Sequence, residues 1–400
     1  MTNAVPHRGS VSGRRIRAIA SALALGTVFL PALAAPPSDQ GSAFSVLYSF
    51  TGKPDGAASQ ASLLLDPERN LYGTTYAGGA NGCGVVFKVG PNGKETVIYS
   101  FNCQQDGGYP YANLIRDSAG NLYGTTEGGE TTQLGAVFKV DMTGKETVLH
   151  TFTGYPHDGD SPFAGLVLDA EGNLYGTTEG GGAYRDGVVF KVDRAGNETV
   201  LYNFVGTPDG ASPYGGLVLD AAGNLYGTTR YGGASNYGTV FKLNPTTGQE
   251  TVLYSFAGGG QDGEYPTAGL IAYGEGDFYG TAVNGADDDY GIVFRLNAAG
   301  NETEWYIFGG GRQGAYPYGG LVRDAAGNLY GTTFRGGDFN YGVVFRVGRS
   351  GAEAVLHSFS GGLDGAYPYA GLIQDKSGNL YGTTTVGGAG GGGTVFKIKP

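Results

Sequence analysis

The sequence predicts an all-β fold, a seven-bladed β-propeller with four strands per blade, and three observations lead there. The phrase Asn-Leu-Tyr-Gly-Thr-Thr occurs seven times, once in altered form, with its tyrosines at Tyr72, Tyr123, Tyr175, Tyr226, Tyr279, Tyr330 and Tyr381. Its period is about 51 residues, in the range of propellers and other repeat folds. Four short apolar segments recur in every unit, and the two ends of the chain hold complementary parts of one unit.

The first segment is Ala-Gly-Leu-Val-Leu-Asp, as at 164–169, and the second is the tyrosine phrase itself. The third is Gly-Val-Val-Phe-Lys-Val, as at 187–192, and the fourth is Val-Leu-Tyr-Ser-Phe, as at 252–256. Each is rich in β-branched and aromatic residues and bounded by Gly, Asp or Asn, which reads as strand. Several are apolar on both faces, as befits a sheet lying between neighbouring sheets. The chain proper opens with a fourth segment (46–50) and stops just after a third (393–398). Pairing these two ends would complete the last sheet, close a ring and remove an open edge.

The connections sort onto two faces. Those after segments one and three are tight turns, such as Asp-Ala-Ala-Gly-Asn at 220–224. Those after segments two and four are longer and share the opposite face, where recognition is expected because loops on a rigid frame carry it.

The first 34 residues have a signal-peptide pattern: Arg14, Arg15 and Arg17, an apolar run to Leu33, and a small-x-small site ending at Ala34. Residues 35–44 read as a linker and 45–400 as the propeller. The expected route is ordinary Sec export, with no membrane span left after cleavage. The 77 glycines do not imply disorder, because 28 tyrosines and 20 phenylalanines recur in register and can fill a core. A formal net charge of −11 argues against a nucleic-acid partner, which needs a basic stripe.

The unit Gly-Leu-Val-Leu-Asp-Ala-Ala-Gly-Asn-Leu-Tyr-Gly-Thr-Thr, followed by Gly-Gly and Gly-Thr-Val-Phe-Lys-Leu, at 216–243 resembles the GloVer tandem repeat of exported bacterial proteins. The resemblance runs over about 45–400. It implies export, and it supplies no catalytic residues to carry over. Such proteins bear varied C-terminal anchors. This chain ends at Lys399-Pro400 without one, so release or periplasmic residence is expected. The strand plan is also similar to NHL-type and lactonase-like propellers, a likeness of fold only.

Candidate site residues fall into three groups. Cys83 and Cys103 lie symmetrically about Gly93 in one hairpin, facing each other across its open end, and are expected to form a disulfide. Aromatic residues on the long-loop face are the candidate ligand contacts. Tyr111, Phe163, Tyr214, Tyr318 and Tyr369 follow a recurring proline near the channel mouth, with Gln60 and Thr267 at the same position in units one and five. Tyr231, Tyr237 and Tyr341 lie in the variable loops. Exposed rings beside Asp and Asn suit carbohydrate or protein. Asp287, Asp288 and Asp289 form an acidic run that is the candidate Ca²⁺ site, although it lacks the EF-hand spacing.

A recurring Asp-Gly (Asp55, Asp106, Asp158, Asp209, Asp262 and Asp364, with Gln313 in unit six) reads as a turn capped by its own side chain. His150 and His357 replace the segment-four tyrosine and read as packing residues, which leaves His157 as the one histidine on the long-loop face. No nucleophile elbow, metal-binding histidine spacing or phosphate loop is present. The function expected is that of an exported, monomeric binding or interaction module for extracellular carbohydrate or protein, with no cofactor predicted. The alternatives are a metal-assisted hydrolase or lyase of lactonase-like type, using His157, Asp158 and Asp287–Asp289, and a purely structural surface repeat.

Overall fold

In each unit the segments pair antiparallel in chain order, from the inside of the ring outward. In the fourth blade the strands are Val218–Leu219, Leu225–Thr229, Thr239–Asn244 and Gln249–Ser255. Seven such four-stranded sheets are present, so the chain is a seven-bladed propeller. The computed structural model describes residues 43–129, 134–260, 262–274 and 276–400. The predicted signal segment and most of the linker lie outside the described residues. Among the described residues the only helical element is one 3-10 turn, Gly311–Gln313.

The ring closes as the chain ends suggest. Ala43–Ser49 pairs antiparallel with Thr394–Lys399 and forms the outer strand of the blade built from Ile373–Gln374 and Leu380–Thr383. This strand begins earlier than the sequence boundary at 45, because Phe44 pairs with Ile398.

The repeated phrase is explained residue by residue. Asp220 takes the amide of Ala222 at 2.9 Å and, from Asn224, the amide and the side-chain NH₂, each at 2.8 Å. It also accepts the Tyr226 hydroxyl at 3.1 Å, so the phrase's Asn and Tyr are parts of the preceding turn. In unit five Tyr273 stands for the Asp and Asp277 for the Asn; there Arg295 donates to Asp277 at 2.6 Å instead. The phrase's glycine leaves room for the third strand. A Cβ at Gly227 would lie 2.7 Å from Cζ of Phe241 and 2.9 Å from Cδ2 of Leu217, and the other six copies are equally tight.

The first threonine stitches neighbouring blades in six of the seven units, Thr177 being the exception. Thr74 donates to the Ala112 carbonyl of the next blade at 3.2 Å, and Thr383 donates to Ala61 at 3.4 Å across the closure. Edge-to-face phenylalanines do the same in the core, from Phe101–Phe138 at 5.1 Å round to Phe50–Phe87 at 5.0 Å. Such pairs contribute about 0.5–1.5 kcal/mol beyond their buried area.

Candidate ligand-binding face

The connections after the second and outer strands meet on one face, as expected. Gly210–Ala211 pairs with Tyr231–Gly232, and equivalent ribbons join Gly159–Asp160 to Gly180–Gly181 and Gly263–Glu264 to Asn284–Gly285. In all seven units the residue two before the aromatic position has a left-handed backbone. These residues are Ala58, Tyr109, Ser161, Ser212, Tyr265, Tyr316 and Tyr367, and six of the seven precede a proline. Left-handed geometry is costly for a residue with a Cβ, and a following proline narrows the choice further. Two backbone bonds hold it. Ser212, for example, donates to Asp186 at 2.8 Å and accepts from the Arg230 amide at 3.0 Å.

The strained residue therefore fixes two others. It aims the aromatic of the channel mouth inward. It also pins the residue after each Thr-Thr, and these form a rim of Tyr76, Glu127, Glu179, Arg230, Val283, Phe334 and Thr385. The frame repeats and the rim does not.

Inside this rim the five predicted mouth aromatics converge. Phe163 stacks on Tyr214 with centroids 4.9 Å apart, and Tyr318 stacks on Tyr369 at 4.7 Å. Tyr111 stands edge-on between the pairs, 5.1 Å from Phe163, 5.9 Å from Tyr214 and 5.7 Å from Tyr369. The hydroxyls of Tyr111, Tyr214 and Tyr369 share hydrogen bonds. Burial and the neighbouring phenols raise Tyr111 far above the ordinary tyrosine range. These rings floor the mouth over a cavity of about 100 Å³ lined also by Gln60 and Thr267.

Above the floor the rim divides into two sectors. Glu127 approaches Tyr76, whose phenol is pushed up to about 12 by burial and then by that carboxylate. Glu179 is raised by burial, opposed by Arg230, with Asp160 and Glu127 as like charges nearby. Arg230 lies 6.0 Å above the Tyr214 ring, and its Nε is buried without a partner. Opposite, Phe334 stacks on Tyr367 at 5.0 Å and stands edge-on to Tyr318 at 5.6 Å. One side of the mouth is thus lined by carboxylates and Arg230, and the other by stacked rings with Arg335 over them.

Other predicted residues lie elsewhere. Tyr237 and Tyr341 turn their rings against the left-handed Tyr265 and Tyr367 of the next blade, at 5.7 and 5.4 Å, and Tyr231 packs on Tyr265 at 5.4 Å. Asp287, Asp288 and Asp289 are exposed, and Asp289 caps its own loop by accepting from the Gly285 amide at 3.0 Å. Cys83 and Cys103 form a disulfide, with Cα atoms 5.7 Å apart.

The recurring aspartates are buried caps between blades. Asp209 accepts from the Val205 amide at 3.2 Å and from the Tyr202 hydroxyl at 2.9 Å. His150 and His357 do more than pack, since each replaces that hydroxyl and reaches its aspartate, Asp158 at 3.0 Å and Asp364 at 3.2 Å. His157 is exposed, and Asp158 pairs with His150. Facing five of these caps are glutamates that the sequence reading did not single out, Glu95, Glu146, Glu198, Glu250 and Glu302, and Glu353 takes the same place where unit six has Gln313. Their only signal in the sequence was recurrence at the start of each outer strand.

The fold and mouth define the class: a closed seven-bladed propeller carrying a non-repeating rim on a repeating frame. The chain belongs to the Gloeobacter/Verrucomicrobia repeat family, whose model matches residues 24–170, 147–275 and 259–400. None of the curated proteins matches it.

Solved structures are similar to it at low identity. The extracellular domain of a B. thetaiotaomicron protein described as a hybrid two-component system is similar at 9% identity and a TM-score of 0.58, over 89% of this chain and 40% of that one. A gluconolactonase from Xanthomonas campestris matches at 14% identity and a TM-score of 0.47, over 92% of each chain. A nidogen/laminin complex matches at 20% identity and a TM-score of 0.41, over 62% of this chain and 80% of that one.

Proposed function

We propose that the chain is an exported binding module whose long-loop mouth takes an extracellular carbohydrate. One observation carries this reading. Seven side chains of six kinds are pinned by a seven-fold strained backbone around a floor of aromatic rings and phenolic hydroxyls. Strain of this kind persists only where the surroundings enforce it, and it gathers at ligand clamps. Flat rings suit the apolar faces of a sugar. Glu127, Glu179 and Arg230 supply the carboxylate and guanidinium groups that read hydroxyl patterns. The disulfide fits an oxidising compartment.

A glycan array probed with the purified chain tests the reading, followed by calorimetry on each hit with Tyr214→Ala and Arg230→Ala. Binding to a defined glycan class that drops at least tenfold in both variants is expected. An array blank throughout, or hits indifferent to both substitutions, would refute it.

A further inference from the structure

We propose that His150, Asp158 and Glu198 form a divalent metal site between the second and third blades, of the type that takes Zn²⁺. Each offers one ligand atom, and the three atoms lie within 4.8 Å of one another. His150 Nε2 is 3.0 Å from Asp158 Oδ2. Tetrahedral donors at a usual Zn²⁺ distance of about 2.1 Å stand about 3.4 Å apart, so this contact would open by about 0.4 Å to admit the ion. Glu198 completes the set: its Oε1 is buried without a hydrogen-bond partner, as in the five equivalent glutamates, and among the described residues it alone stands with both an imidazole and a second carboxylate. A cation binding there would displace the proton of that carboxyl and give the buried oxygen the partner it lacks.

Asp158 is held for the role. Its Oδ2 accepts from the Thr153 amide at 2.8 Å and from Thr153 Oγ1 at 3.2 Å, and its Oδ1 accepts from the Gly159 amide at 2.6 Å. The His150 and Asp158 side chains are only 18% and 8% exposed, so ligand motion is restricted. A metal ion would take the position of the proton now shared by His150 and Asp158, leaving Glu198 as third ligand and a fourth position for water. Imidazole with carboxylates favours Zn²⁺ and its first-row neighbours over Ca²⁺.

The repeat supplies its own controls. At four other interfaces Tyr48, Tyr99, Tyr202 and Tyr254 occupy the His150 position and donate a hydroxyl to the aspartate. A neutral phenol there offers a proton where a metal needs a lone pair. At the His357–Asp364 interface Phe44 stands in the glutamate's position and stacks on the imidazole at 3.8 Å. Among the described residues, three metal-ligating side chains converge only at His150.

The test is calorimetric titration of Zn²⁺ into untagged, EDTA-stripped chain, with metal analysis of the product. One Zn²⁺ per chain at micromolar affinity or tighter is expected, with a higher melting midpoint. His150→Tyr recreates the arrangement of the four tyrosine interfaces, so it should fold normally and bind about 100-fold more weakly or not at all. Glu198→Gln gives a second reading with little change in shape, and affinity should again fall at least tenfold. His157→Ala should leave binding unchanged. Absence of tight Zn²⁺ binding in the wild type would overturn the proposal, as would binding that survives both His150→Tyr and Glu198→Gln or is lost in His157→Ala.

Discussion

The interface glutamates should make this propeller lose stability as pH rises from 5 to 8. Glu95, Glu146, Glu198, Glu250, Glu302 and Glu353 each hold one carboxyl oxygen buried and unpartnered. Burial, and for the first five then a nearby acidic group, pushes Glu95, Glu146, Glu198, Glu250 and Glu353 from 4.5 up to about 7 and Glu302 to about 8. The unfolded chain releases these protons near 4.5 while the folded chain keeps them to about 7. Their stabilising contribution is therefore fully present below 4.5 and lost as pH climbs to 7–8.

A displacement of this size is worth ~3 kcal/mol per carboxyl. Part of each side chain meets solvent, so ~1 kcal/mol is the realistic share. Six groups then give ~6 kcal/mol, or a fall of ~10 °C in midpoint for a chain this long. Thermal melts followed by circular dichroism in EDTA at pH 5, 6, 7 and 8 measure it. Glu353→Gln isolates one carboxyl, because burial alone raises Glu353. It should raise the midpoint by 1–2 °C at pH 8 and leave it unchanged at pH 5, on the same ~1 kcal/mol per group. A midpoint that is flat or rising from pH 5 to 8, or a lower midpoint for Glu353→Gln at pH 8, would refute the reasoning.

Other consequences can be checked on the same melts. Gly227→Ala drives a methyl into Phe241 and Leu217 at 2.7 and 2.9 Å, and should cost at least ~2 kcal/mol for want of space. Asp220→Ala leaves the Asn224 and Tyr226 donors without their shared acceptor and should cost ~2 kcal/mol, while the equivalent change at Tyr273 in unit five should cost much less. Thr383→Val strands the Ala61 carbonyl at the ring closure and should cost ~1 kcal/mol. Reducing Cys83–Cys103, which spans 20 residues, should cost ~3 kcal/mol, and thiol titration of unreduced protein should find no free cysteine.

Architecture was legible because the repeat prints each structural need seven times. The Asn, Tyr, Gly and first Thr of the phrase answer to a turn, a carboxylate, a phenylalanine and a neighbouring carbonyl; the glycine's demand recurs in all seven blades and the others in six. The five mouth aromatics were legible for the same reason, through the proline that precedes them. The rim was harder to see. Positions 179, 230 and 283 fall at one place after the phrase but carry Glu, Arg and Val, and only the backbone bonds from Ser161, Ser212 and Tyr265 tie that place to the mouth. The packing of the loop tyrosines was not legible either: Tyr237, Tyr290 and Tyr341 each meet the left-handed tyrosine of the next unit, 26 to 28 residues on, a contact set by the ring and not by strand spacing.

The interface chemistry escaped for a more specific reason, a β-bulge in every outer strand. In the third blade Glu198 pairs with Val192 and Val200 with Phe190, whereas Tyr202 pairs with Val189, so Leu201 is the extra residue. Simple alternation would put Glu198 and Tyr202 on one face of the sheet, since they are four apart. The bulge turns them to opposite faces, one toward the second blade and the other toward the fourth. Five of the six glutamates thereby meet the aspartate capped by the preceding blade's tyrosine or histidine, a neighbour no count along the strand would choose, while Glu353 lies where unit six has Gln313. One inserted residue, repeated round the ring, builds every buried carboxylate pair. Replacing a single tyrosine by His150 is then enough to turn one of those pairs into a ligand set.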